Sequence, residues 1–314
     1  MSQQTYILCP GQGAQQVGMG KDYFEQSEPA RRIFERANQV LGFDLASLCF
    51  NGPEDRLNQT DISQPAIFAT SVACYHAAVA AEVIDPNAVT AWAGLSLGEY
   101  TGLHLGGVFG FEDGLRLVAA RGRYMQEAAV AVRSGMVAVL GADEAAVNQL
   151  CEEAAQGDVL VPANFNAPGQ IVISGAAAAC ERVVKLGESK GLKTVALKVA
   201  GAFHSPLMQP AADRMAAELE RVSFATPRQT VYANVTAAPH ADAASIKRLL
   251  VEQIVRPVRW EQTMQAMLAG EGGSSRWVEL APQRTLAGML KRINRRLAVE
   301  SFNTAEALAT AAKA

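Results

Sequence analysis

The chain has 314 residues, of which 49% are hydrophobic and 19% are charged, a balance typical of a globular protein with a large core. Its net charge of −3 argues against nucleic acid as the main partner, and no apolar run is long enough for a membrane helix. Five scattered cysteines without a Cys-x-x-Cys pair, and an N-terminus without a basic, apolar leader, favour a cytoplasmic protein with neither disulfides nor a metal site.

The first elements alternate between strand and helix. Residues 5–9 form a short apolar strand that runs into a glycine-rich loop, residues 10–15, a pattern typical of backbone that approaches a ligand or of a plain tight turn. Residues 27–41 have helical periodicity. Residues 58–64 are polar and predict a connection, after which Pro65 opens a helix over 66–81, because proline is tolerated in the first helical turn.

A candidate nucleophile lies between a strand and a helix. Residues 89–93 predict a buried strand, and Gly94-Leu95-Ser96-Leu97-Gly98 follows it directly. Glycines two residues either side of a serine allow the sharp turn that exposes a hydroxyl, and free N–H groups at the start of a helix stabilise an oxyanion. The alternative is a chance Gly/Ser turn, against which the flanking strand and helix argue.

The next helix, predicted over residues 113–129, carries Arg121 beside its apolar face. Such an arginine is usually ion-paired or extends its head to solvent, so a functional role requires an anionic substrate.

The next predicted elements, in order, are a strand, a helix, two strands, a helix and a strand. The predicted elements are residues 136–140, 143–155, 159–166, 170–174, 176–190 and 192–199. This order is that of a ferredoxin-like unit. We therefore predict a small subdomain, residues 134–199, inserted into a larger α/β core made of residues 1–133 and 200–314, with a ligand cleft between the two.

Four histidines are candidates for the base that a serine nucleophile requires. His76 lies in a helix, His104 lies about two turns beyond Ser96, and His240 falls in a polar connection. His204 alone follows the inserted unit on a loop at the junction, so elimination pairs it with Ser96. No acid has the position that an α/β-hydrolase triad requires, which favours a dyad whose imidazole is oriented by a backbone carbonyl or a glutamine.

Several motifs, in the same order along nearly the whole chain, resemble the malonyl-CoA:acyl carrier protein transacylase family. They are Gly11-Gln12-Gly13-Ala14-Gln15, Gly94-Leu95-Ser96-Leu97-Gly98-Glu99-Tyr100, Arg121-Gly122-Arg123-Tyr124-Met125, Asn164-Phe165-Asn166-Ala167-Pro168-Gly169-Gln170, Gly201-Ala202-Phe203-His204-Ser205, and Gln253 before Pro257-Val258-Arg259-Trp260. The resemblance implies an α/β-hydrolase-like core with a parallel sheet and a ferredoxin-like βαββαβ insert.

The resemblance also implies roles for the reacting groups. Ser96 attacks the malonyl thioester, and His204 accepts its proton and later returns it. The backbone N–H groups of Gln12 and Leu97 form the oxyanion hole.

Three further residues are implied in substrate binding. Arg121 binds the malonyl carboxylate through a bidentate pair. Gln253 orients the histidine through its main-chain carbonyl. Phe203 favours malonyl over methylmalonyl, whereas Leu95, which stands where many members have histidine, leaves the acyl preference open.

The resemblance implies malonyl-CoA and acyl carrier protein as partners. We expect a monomer, although the sequence does not fix the oligomeric state. CoA and phosphopantetheine enter only as parts of the substrates, so no bound cofactor is expected. Three alternatives remain open at this point. They are a serine hydrolase or thioesterase with the same turn around Ser96, an acyltransferase for another acyl-CoA in a polyketide pathway, and a non-catalytic acyl-binding module.

Overall fold

The computed structural model describes residues 4–270 and 275–313. Within them the strands are β1 (Gln4–Cys9), β2 (Val89–Gly94), β3 (Ser134–Leu140), β4 (Leu160–Ala167), β5 (Gln170–Ala176), β6 (Lys193–Ala196), β7 (Thr230–Val231), β8 (Ser275–Leu280) and β9 (Val299–Phe302). They form a five-stranded sheet in the order β7-β2-β1-β8-β9 and a four-stranded sheet in the order β4-β5-β3-β6.

Helices cover both sheets. They are α1 (Lys21–Gln26), α2 (Glu28–Leu41), α3 (Leu45–Asn51), α4 (Glu54–Leu57), α5 (Thr60–Ala80), α6 (Leu97–Leu105), α7 (Phe111–Ala131), α8 (Glu144–Ala155), α9 (Ala177–Ser189), α10 (Gln209–Glu220), α11 (Ala243–Val255), α12 (Trp260–Ala269), α13 (Thr285–Ile293) and α14 (Ala305–Ala311). Within the described residues, none is both long and apolar enough to cross a membrane.

Every pair of neighbours in the larger sheet is parallel. The central strand β1 is buried from Thr5 to Cys9, as is usual for a parallel strand covered by helices on both faces. Since parallel strands end at the same edge, the loops after β1, β2 and β8 meet there. Ligands of open α/β sheets bind at this edge.

The smaller sheet is antiparallel and has its own apolar core with α8 and α9. Its order is that of a ferredoxin-like unit, and with the parallel sheet it confirms the predicted α/β fold class. Main-chain bonds join it to the rest: Phe165 N–H donates to the Val258 carbonyl at 2.9 Å, and Val258 N–H donates to the Ala163 carbonyl at 2.8 Å. The subdomain limits at 134 and 199 remain a prediction.

One predicted boundary is wrong. Helix α5 begins at Thr60, within the segment predicted as a polar connection, and Pro65 lies inside the helix instead of opening it. Proline removes one helical hydrogen bond, yet the preceding turn is held by other contacts, since Gln126 Oε1 accepts the Thr60 N–H at 3.0 Å. Thr60 and Gln64 are completely buried. These two polar side chains therefore face the protein interior, whereas the prediction of a polar connection placed them in solvent.

Candidate active site

The turn between β2 and α6 holds Ser96 in an uncommon backbone conformation, with φ 53° and ψ −103°. Gly94 and Gly98 make this turn possible. A Cβ on Gly94 would lie 1.9 Å from the Gly98 carbonyl carbon, and a Cβ on Gly98 would lie 2.0 Å from the Cys9 carbonyl oxygen. The two glycines thus let the turn pack against itself and against the end of β1, and strain at one residue of this kind is a frequent feature of functional sites.

The structure brings Ser96 and His204 together, 108 residues apart in the chain, with 2.9 Å between Oγ and Nε2. The His204 Nδ1–H donates to the Gln253 main-chain carbonyl at 2.7 Å, which leaves the Nε2 lone pair to accept the serine proton. Burial, aided by the positive charge of Arg121, lowers the pKa of His204 to about 4. The imidazole is therefore neutral at pH 7, the form that a general base requires.

Two loop contacts set the position of His204, which itself has φ 58°. The Ala202 N–H donates to Ser134 Oγ at 3.1 Å, and Ser205 Oγ donates to the Ala202 carbonyl at 2.6 Å. Ser134 opens β3, so the smaller sheet holds the loop that carries the histidine.

Arg121 projects from α7 and is 1% exposed. Its Nη2 donates to Ser96 Oγ at 2.9 Å and to Gln253 Oε1 at 2.8 Å, and its Nη1 donates to Gln64 Oε1 at 2.8 Å. Burial lowers the pKa of its guanidinium, whereas Tyr100, whose ring centroid lies 5.6 Å away, and Glu99 oppose that effect. Among the described residues, its hydrogen-bond partners are all neutral groups. Arg121 is therefore a buried cation beside the serine hydroxyl, without a carboxylate paired to it.

A cavity of about 650 Å³ opens over this pair between the two sheets. Gln12, Leu95 and Phe203 line it together with Ser96 and His204. It has the size and the partly apolar lining of a small-molecule site.

Of the other predicted residues, Gln12 lines the cavity, whereas Leu97 and Gln253 lie beside Ser96 without lining it. Gln12 follows β1 in the glycine-rich loop, which packs closely on the turn, since a Cβ on Gly11 would lie 2.2 Å from the Leu95 carbonyl oxygen. Leu97 is the first residue of α6, where a main-chain N–H is free of the helical ladder. Gln253 lies on α11 and contributes both its carbonyl and its side chain. The oxyanion-hole and substrate-binding roles stay predictions.

Four buried polar residues of the site were missed from the sequence. They are Gln64, Glu99, Asn234 and His240. His240 lies in the connection between β7 and α11, as predicted, but its side chain is 0% exposed, and its Nε2 lies 2.8 Å from Glu99 Oε1. Glu99 was named only as part of the motif around Ser96, and an acid directly after an otherwise apolar turn was the available signal. The sequence around Asn234 and Gln64 contains no such signal.

Known proteins resemble this chain over nearly its whole length. A family model described as an acyl transferase domain matches residues 5–312. The malonyl CoA-acyl carrier protein transacylase of Escherichia coli (strain K12) is 38% identical over 312 residues, which cover 99% of each chain.

The chain belongs to the malonyl CoA-acyl carrier protein transacylase family.

Solved transacylases share its fold. The crystal structure of the enzyme from Xanthomonas oryzae pv. oryzae is 39% identical, covers 100% of this chain and 98% of its own, and has a TM-score of 0.94. A malonyl-transacylase solved in complex with a type II polyketide synthase acyl-carrier protein is 36% identical, covers 99% of each chain, and has a TM-score of 0.93. The resemblance stated from the motifs is thereby confirmed.

Proposed function

We propose that this chain transfers a malonyl group from malonyl-CoA to the phosphopantetheine thiol of acyl carrier protein through a malonyl ester of Ser96. One observation carries the proposal: the buried Arg121 guanidinium lies 2.9 Å from the nucleophile and is offered no side-chain carboxylate by the described residues. A desolvated cation at that distance suits an acyl group that ends in a carboxylate.

In the first half-reaction Ser96 Oγ attacks the thioester carbonyl while His204 Nε2 takes its proton. The carbonyl oxygen becomes an oxyanion, for which the Gln12 and Leu97 N–H groups are the proposed donors. The carbon–sulfur bond then breaks, and the CoA sulfur leaves with the proton from His204. Malonyl-Ser96 remains, and its free carboxylate pairs with Arg121.

In the second half-reaction the phosphopantetheine thiol gives its proton to His204, and its sulfur attacks the serine ester. The ester bond breaks, and Ser96 Oγ regains the proton. One thioester is exchanged for another, so the protein needs no redox step, metal or bound cofactor. The proposal includes malonyl-CoA and acyl carrier protein as partners, and a cytoplasmic monomer as the working form.

Two competing activities share the same nucleophile. A serine hydrolase or thioesterase would use water as acceptor and has no need of a cation such as Arg121. An acyltransferase of a polyketide pathway would use the same chemistry, and Phe203 in the cavity wall favours malonyl over a branched acyl group.

The test is mass spectrometry of the peptide that contains Ser96 after incubation with malonyl-CoA. We expect an adduct with the mass of malonic acid less one water, stable until holo acyl carrier protein is added and then found on its phosphopantetheine. Ser96→Ala is the control and forms no adduct. Absence of the adduct in the unaltered chain overturns the proposal, and loss to water at the same rate with and without carrier supports the hydrolase.

A further inference from the structure

A buried carboxylate lies behind the nucleophile. Glu99 is 1% exposed, and Asn234 and Gln253 beside it are 0% exposed. Glu99 Oε2 accepts the Asn234 main-chain N–H at 2.9 Å and the Gln253 side-chain Nε2–H at 2.8 Å. These two partners in turn hold both main-chain groups of Ser96: Asn234 Oδ1 accepts its N–H at 2.6 Å, and Gln253 Nε2 donates to its carbonyl at 3.0 Å.

The Gln253 amide has only one orientation that fits these neighbours. Its NH₂ group donates to Ser96 O and to Glu99 Oε2, and its Oε1 accepts from Arg121 at 2.8 Å. A flipped amide would direct its NH₂ at the guanidinium and its oxygen at the carboxylate. Because both of those contacts are repulsive, Glu99 sets the direction of the amide, and the amide sets the position of Arg121.

The same arrangement balances charge. A buried cation is costly unless an anion compensates it, yet a direct ion pair would occupy the edge of the guanidinium. Glu99 lies one amide away from Arg121, and its charge favours the protonated guanidinium against the effect of burial. No side-chain carboxylate of the described residues pairs with the guanidinium, so the Nη2–H that contacts Ser96 can turn to a substrate carboxylate.

His240 fixes the second carboxylate oxygen. Its Nε2 lies 2.8 Å from Glu99 Oε1, with both side chains 1% exposed or less. Its Nδ1 has no hydrogen-bond partner in the part of the chain that the structure describes. The His240 Nε2–H donates to Glu99 Oε1 and prevents the carboxylate from rotating away from Gln253.

We propose that Glu99 is a positioning residue that directs the Gln253 amide and so holds Arg121 for the malonyl carboxylate. The inference rests on the proposed function. A positioning role differs from a merely structural one in its effect on activity, because it predicts a loss of kcat/KM that depends on the acyl group.

Glu99→Gln tests it with nearly unchanged volume. A glutamine at this position can present either its oxygen or its NH₂ to Gln253, so one of the two repulsive contacts that oppose a flipped amide is removed. We expect kcat/KM for malonylation of Ser96 to fall about 10- to 100-fold, with a clearly smaller fall for acetyl-CoA. In an Arg121→Ala background the same substitution is expected to lower malonylation only by the smaller factor seen with acetyl-CoA, because the part of its effect that acts through Arg121 is absent.

Glu279→Gln is the matched control. Glu279 is also a fully buried carboxyl group, but its hydrogen-bond donors are two main-chain N–H groups at the start of α13, at 2.7 and 2.8 Å, and the Ser301 hydroxyl at 3.4 Å. We expect it to keep the malonyl-to-acetyl ratio of the unaltered chain. If Glu99→Gln fails to fold, Gln253→Met decides, since it removes the amide but keeps the carbonyl that binds His204, and it should also lower malonylation selectively.

Equal losses for both acyl groups, or full additivity of Glu99→Gln with Arg121→Ala, would overturn the inference while leaving the proposed function intact. Absence of a malonyl adduct in the unaltered chain would instead refute the proposed function itself. The two failures are therefore distinct.

Discussion

Replacing Arg121 by lysine keeps a positive charge beside Ser96 but removes the planar fork that carries it. In the structure the two Nη atoms make three hydrogen bonds, to Gln64 at 2.8 Å, to Ser96 at 2.9 Å and to Gln253 at 2.8 Å. A lysine has a single nitrogen at the end of a flexible chain, so it cannot span Gln64 and Gln253 while also offering two parallel donors to a carboxylate.

The size of the expected loss in kcat/KM follows from the one hydrogen bond that lysine cannot make to the carboxylate. A bidentate carboxylate pair has two charge-assisted hydrogen bonds, and lysine keeps one of them. A hydrogen bond to a charged group contributes about 1.5–3 kcal/mol, which corresponds to a loss of roughly 10- to 150-fold in kcat/KM for malonyl-CoA. The acetyl group has no carboxylate, so we expect the rate of acetylation to change little.

The assay is rapid-quench acylation of Ser96 with each acyl-CoA, followed by mass spectrometry of the labelled peptide. Thermal unfolding of Arg121→Lys, compared with the unaltered chain, controls for loss of the fold. Malonylation at the unaltered rate would refute the bidentate role of Arg121, and so would an equal loss for the two acyl groups.

Three further predictions concern the base, the turn and the acyl pocket. Because burial and Arg121 lower the pKa of His204 from 6.5 to about 4, the acid limb of kcat/KM for acylation should lie near pH 4, and a midpoint near 6.5 would contradict it. The unfolded chain binds more protons than the folded one between those values, so stability should fall in urea titrations as pH drops through this window. Gly98→Ala should destabilise the fold by at least about 1–3 kcal/mol and abolish acylation, since its Cβ would meet the Cys9 carbonyl. Gly110→Ala should do neither, because nothing lies within 4 Å of the Cβ that it would add. Phe203→Ala should raise acylation by methylmalonyl-CoA relative to malonyl-CoA, and an unchanged ratio in a competition assay would exclude the ring as the selecting group.

Features encoded locally were predictable from the sequence. The turn at Ser96 depends on glycines two residues away and on the apolar strand before it, and all of these lie within ten residues. The ferredoxin-like unit follows from alternating apolar patterns and a two-residue turn between β4 and β5. Pairing His204 with Ser96 required only that one histidine lay on a loop at the junction.

The polar interior was not predictable in the same way. Gln64 belongs to a stretch whose composition is that of a solvent-exposed connection, yet it is completely buried because Arg121 needs an acceptor there. His240 and Asn234 lie more than 130 residues from Glu99 and Ser96, respectively, in the chain. A polar residue that is buried for a distant partner has no local pattern, so only the fold reveals it.

The missing acid of the dyad and the buried cation have one physical explanation. In a Ser-His-acid triad a carboxylate orients the imidazole and stabilises the imidazolium. Here a carboxylate beside His204 would also lie close to Arg121, whose charge already contributes to the low pKa of that histidine. It would pair with the guanidinium and occupy the place proposed for the malonyl carboxylate. The Gln253 carbonyl orients His204 without a charge, and its side chain links Arg121 to Glu99, so a single glutamine serves both the base and the cation while the nearest anion stays one amide away.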